Sequence, residues 1–185
     1  MTTTHAEMLS TLNVFLQKSV DELRSDGATC QTALLFRDDV PVVAVMIDFR
    51  GSEHKEAAWK SIMDLARTSG ADAVGLILDV YCAPVGSGLA PSEDPAATEA
   101  LVISTVKPGV WSYTMLRYGR GDDGAIQFAD RMTSDEVDDS FDSTLPLAMA
   151  EALDEPTRPD ADEAKRLMHQ LIEMGASVGL MPQYA

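Results

Sequence analysis

Residues 73–82 read Ala-Val-Gly-Leu-Ile-Leu-Asp-Val-Tyr-Cys, an almost unbroken apolar run that is far too short to cross a membrane as a helix. Such a run, rich in Val, Ile and Leu, fits a strand covered on both faces, so it belongs near the centre of a sheet. That placement limits the rest of the chain, because a strand buried on both sides needs strand neighbours and helices above and below it. The carboxylate of Asp79 inside this run must find a hydrogen-bonded partner or shift its pKa upward.

The neighbours are legible. Met8, Leu12, Phe15, Leu16, Val20 and Leu23 recur at helical spacing behind a Thr4–Glu7 capping pattern, and Gly27 supplies the stop. Thr29–Arg37 and Val40–Phe49 read as a hairpin turning on Asp38-Asp39, with Pro41 restricted to the strand's first residues or a free edge. A helix opens at Gly51-Ser52, with Ser52 as the expected N-cap and Ala58, Trp59, Ile62, Leu65 and Ala66 on one face. Residues 83–98 are rich in Pro, Gly, Ser and Ala and read as a long connection.

Glu99–Val106, Val110–Tyr118 and Ala125–Met132 read as an antiparallel meander. On its second strand Trp111, Tyr113 and Met115 share one face and Val110, Leu116 and Tyr118 the other. Gly119–Gly124 formally fits G-x-G-x-x-G, but it precedes a strand instead of a helix and holds Asp122 and Asp123, so it reads as a hairpin turn. An acidic run, Ser134–Asp142, precedes a short helical piece near Leu145–Leu153. Asp160 and Glu163 then repeat the capping pattern ahead of a stripe of Ala164, Leu167, Met168, Leu171 and Met174.

The expected class is α+β, with a three-layer-like α/β sandwich as its possible form: helix, hairpin, helix, mainly antiparallel strands, then a C-terminal helical arm. The expected organisation is an α+β domain over 1–132, an acidic linker with a short helix over 133–159, and an amphipathic helix and tail over 160–185.

Charge narrows the function. Fourteen Lys and Arg against 30 Asp and Glu leave a net charge of -16 in 185 residues. This balance argues against nucleic acid and anionic lipid as partners, and residues 133–185 alone account for -9 of it. The start, Met-Thr-Thr-Thr-His-Ala-Glu, lacks the pattern of a signal peptide, which sets the expectation of a cytoplasmic protein. Two cysteines, Cys30 and Cys82, do not make a disulfide framework.

Two sets of residues carry candidate chemistry. His54-Lys55-Glu56 at a helix start, followed by Cys82-Ala83-Pro84 at the end of the next strand, resembles the cytidine-deaminase-like superfamily over roughly residues 4–82. The resemblance implies zinc held by His54 and Cys82, with Glu56 moving protons. The pattern is incomplete: Tyr81 stands where the family has proline and Val85 where it has a second cysteine, and two ligands do not hold a catalytic zinc. The second set is Asp48, Asp79 and Glu99, carboxylates near strand ends of the kind that bind Mg²⁺; their structural alternative is pairing with Arg50, Arg117 or Arg131.

Neither set is complete, so no metal or cofactor is assigned. The favoured reading is a non-enzymatic assembly or partner-binding module, a homo-oligomer with a basic protein as a further possible partner. The competing reading is a degenerate cytidine-deaminase-like or carboxylate metal-dependent hydrolase.

Overall fold

The computed structural model describes residues 4–83, 88, 93–108, 110–133, 144–154 and 158–181. The elements run α1 (Thr4–Asp26), β1 (Gln31–Arg37), β2 (Val40–Ile47), α2 (Ser52–Thr68), β3 (Ala73–Cys82), β4 (Thr98–Lys107), β5 (Val110–Arg120), β6 (Ile126–Thr133), α3 (Thr144–Asp154), α4 (Ala161–Glu173) and β7 (Ser177–Leu180). Seven strands form one sheet in the order β6-β5-β4-β3-β1-β2-β7. Every adjacent pair is antiparallel, and the fold is α+β.

The apolar run 73–82 is the fourth strand of the seven. Its side chains alternate between two buried surfaces, as its composition requires. Val74 and Leu76 face a core built with Ala58, Ile62 and Leu65 of α2, Met149 and Ala150 of α3, and Ala164, Leu167 and Leu171 of α4. Ala73 and Ile77 face the other way, against Met8 and Leu12 of α1. Gly75 lies on this second face because Leu12 presses onto it: a Cβ there would stand 2.4 Å from Leu12 Cδ2. Three helices thus cover one face and a single helix the other, which makes three layers.

The local signals act largely as read. Asp38 and Asp39 take positive φ values of 52° and 61°, the twist a two-residue hairpin needs. Gly27 adopts φ 73° and its N–H returns to the Leu23 carbonyl at 3.0 Å, ending α1. Asp160 caps α4 by accepting from the N–H groups of Asp162 and Glu163. Ser52 differs from expectation: it is the first residue of α2, and Gly51, at φ 109°, occupies the cap without a side-chain bond. The side chains of Thr4 and Glu7, the acidic run 134–142 and most of the connection 83–98 lie outside the described residues.

The stripe on α4 is spent within the chain. Ala164, Leu167 and Leu171 are buried with α2, and Gln170 Nε2 donates to Ser61 Oγ at 3.2 Å. After α4 the chain adds β7 beside β2, a strand the sequence reading did not contain. Four residues give too short a period for alternation to register.

Candidate functional site

The most polar assembly within the sheet lies at the end where β3 finishes. Asp79 of β3 sits opposite Leu101, Glu99 of β4 opposite Tyr118, and Arg120 of β5 opposite Ile126. Asp79, Glu99, Tyr118 and Arg120 fall on the α1 face by strand alternation. Tyr118 is 4 % exposed and packs with Leu23 of α1 and Leu101.

The phenol hydroxyl of Tyr118 donates to Asp79 Oδ1 at 2.7 Å and lies 3.3 Å from Glu99 Oε1. Glu99 is gripped in turn by Arg120, whose Nε is 2.9 Å from Oε2 and whose Nη2 is 2.8 Å from Oε1, a bidentate pair. The remaining arm of the guanidinium, Nη1, donates to the Gly27 carbonyl at 3.0 Å. A cation at the C-terminal end of α1 also complements the helix dipole. A single chain of bonds therefore runs from β3 through β5 and β4 to the end of α1.

Asp79 is held from its backbone side as well. β1 pairs with β3 only as far as Thr32 and Ile77, and beyond that point the side chain of Gln31 continues the ladder. Its Nε2 donates to the Asp79 carbonyl at 3.1 Å, and the Asp79 N–H donates to its Oε1 at 2.9 Å.

The electrostatics follow from burial. Desolvation pushes the Asp79 carboxyl up, the Tyr118 hydrogen bond opposes this, the charge of Glu99 adds to the rise and Arg120 counters it. Tyr118 is driven well above the ordinary phenol range, first by burial and then by its bond to Asp79 and the two carboxylate charges. Its bond to Glu99 holds Arg120 firmly charged. The cluster is a carboxyl biased toward its protonated form beside a phenol that keeps its proton, and its donors and acceptors are largely matched to one another.

Of the carboxylates named from sequence, Asp79 and Glu99 come together. Asp48 follows the end of β2 and stands apart from them; burial pushes the Cys30 thiol up, and the charges of Glu22 and then Asp48 add to the rise. The partners expected for Asp79 were Arg50, Arg117 or Arg131; Tyr118 binds it directly, and Arg120 is linked to it through Glu99 and then the Tyr118 hydroxyl. Arg120 opens the glycine-rich turn, which is a hairpin closed by Gly121 N–H to the Ala125 carbonyl at 2.9 Å. The signal was available in the period-two spacing of Tyr118 and Arg120, which places both on one strand face.

The deaminase-like residues are engaged elsewhere. His54 Nδ1 accepts the Arg50 N–H at 3.0 Å and its Nε2 meets the Met174 carbonyl at 2.9 Å, so the ring is a neutral brace between α2 and the end of α4. Cys82 Sγ rests 3.8 Å from Met115 Sδ, and burial raises its thiol. Glu56 is exposed. Among the described residues no group of three His, Cys, Asp or Glu side chains is arranged to hold a metal ion. No described helix is long and apolar enough to cross a membrane. Comparison with protein-family models, with curated proteins and with solved structures returned no match.

Proposed function

We propose that this chain is a non-enzymatic assembly module that takes a partner strand along β7. One observation carries the reading: the two edges of the sheet are finished differently. The β6 edge includes Arg131, an exposed charge of the kind that discourages strand addition. β7 reads Ser-Val-Gly-Leu, with neither charge nor proline, and Leu180 stands 51 % exposed upon it. An apolar edge left unguarded among the described residues, on a chain otherwise rich in charge, is a surface suited to pairing.

The strongest polar cluster supports this reading from the other side, because its bonds serve to fasten α1 to the sheet. The test is whether particle mass depends on the edge. Full-length chain, wild type and Leu180→Lys, is measured by light scattering over a concentration series. Association beyond the 19.9 kDa chain that Leu180→Lys removes is the expected result. A chain that stays monomeric, or an assembly indifferent to Leu180→Lys, overturns it.

A further inference from the structure

Resting on the reading of β7 as a docking edge, we infer that the strand it accepts is β7 of one second copy, paired antiparallel about a two-fold axis at Gly179.

The phase of the β2–β7 ladder fixes which backbone groups are free. The Met181 N–H donates to the Val42 carbonyl at 3.1 Å, continuing the register in which Gly179 faces Ala44 and Ser177 faces Met46. Hydrogen-bonded and non-bonded pairs alternate along an antiparallel ladder, so Ser177, Gly179 and Met181 direct their N–H and C=O groups toward β2. Val178 and Leu180 direct theirs outward. The open edge therefore presents donors and acceptors from two residues that flank a glycine symmetrically.

That arrangement is self-complementary. With Gly179 opposite Gly179 of the second copy, Val178 of each chain faces Leu180 of the other and exchanges both N–H···O=C bonds with it. The axis is perpendicular to the sheet, so facing side chains lie on the same side. Each half-exposed Leu180 then lands beside the second copy's Val178, which already packs against the core under α4.

Gly179 itself points to a close neighbour. Its backbone needs no positive φ, and a Cβ built on it meets nothing within 4 Å, so nothing described in the chain requires glycine there. A glycine inside a strand weakens it and often marks the close approach of another backbone. In the two-fold pairing Gly179 is the non-bonded position, where the Cα atoms come within about 4.5 Å. Two chains at -16 repel at long range, and Met174–Met181, free of charged residues, lets the two edges meet without placing like charges in direct contact. One sheet then runs through both copies and ends on the two charged β6 edges, so the assembly closes as a dimer.

The experiment is disulfide mapping of the full chain in a Cys30→Ser background, since Cys30 is exposed. Gly179→Cys places two thiols at a bridgeable separation, while Ser177→Cys places them about 14 Å apart along the strands. Gly179→Cys is expected to cross-link at least about tenfold faster than Ser177→Cys, with the parent unlinked. Leu180→Pro removes an outward N–H and no ladder bond within the chain, and is expected to weaken the dimer about tenfold or more. Association that Leu180→Lys abolishes, but in which Ser177→Cys links as fast as Gly179→Cys, overturns the two-fold register and leaves the edge reading standing. Species that keep growing with concentration overturn the closed dimer. Association untouched by Leu180→Lys overturns both.

Discussion

The two faces of the sheet are held by different physics. The face under α2, α3 and α4 carries a large core that runs from Val43 and Val45 of β2 to Val106 of β4, with a second cluster of Ala100, Val102, Tyr113 and Met115 beside it. The face under α1 is split into a patch around Met8, Leu12 and Phe36 and another around Leu23, Leu101 and Tyr118. Beside the second patch stands the Asp79–Tyr118–Glu99–Arg120 chain. One helix cannot enclose as much apolar surface as three, and the single-helix layer adds directional bonds that fix where α1 ends. Burial therefore dominates stability on one side, while on the other bonding also controls the position of a helix.

Four substitutions break or sharpen this contrast. Leu65→Ala on α2, at a fully buried site, is expected to cost about 2–5 kcal/mol and to shift global unfolding in denaturant. A loss confined to α1 in hydrogen exchange would erase the distinction between the faces. Gly75→Val pushes against Leu12 and is expected to cost about 1–3 kcal/mol, with amides of α1 exchanging faster than those of α2 and α4. Next comes Arg120→Gln. It removes the bidentate grip on Glu99 and the bond to the Gly27 carbonyl, for about 1 kcal/mol given the partial exposure of the pair, with faster exchange at the C-terminal end of α1 as its signature.

The smallest expected effect is the most diagnostic. Because the folded Asp79 carboxyl lies above its ordinary value, its contribution is fully present below the unfolded pKa and is lost as pH rises through the folded one. Asp79→Asn keeps an acceptor for Tyr118 and cannot ionise. The variant should thus gain on wild type as pH climbs out of the acid range and lose that advantage on acidification, read from melting curves across pH. A pH-independent difference would show that Asp79 titrates as it does in the unfolded chain.

Periodicity and punctuation made much of the architecture legible. The run 73–82 announced a central strand, Asp38-Asp39 a hairpin, and the spacing of Met8, Leu12 and Leu16 the face of α1. Half of the polar chain was also visible, because a carboxylate in an apolar strand demands a partner. Which partner it finds is decided by register between strands distant in sequence. Tyr118 reaches Asp79 across β4, and nothing local to residue 79 encodes that. Gln31 was hidden for a similar reason: a glutamine at a strand start looks like a solvated end until the chain that it bonds is known. β7 escaped because four residues cannot show a period.

Gln31 has a consequence for how the sheet assembles. β1 and β3 are joined through β2 and α2, so no tight turn dictates how far one slides along the other. A slip of two residues would keep every side chain on its proper face, and hydrophobic patterning alone discriminates poorly against that error. The paired bonds between the Gln31 amide and the Asp79 backbone extend the ladder beyond Thr32 and Ile77. Backbone groups repeat along β3, so after such a slip the same amide would find an equivalent pair, while Asp79 and Tyr118, related through β4, would stay together. Gln31 thus acts as a splice, a side chain that carries the ladder one rung past the point where the two backbones part.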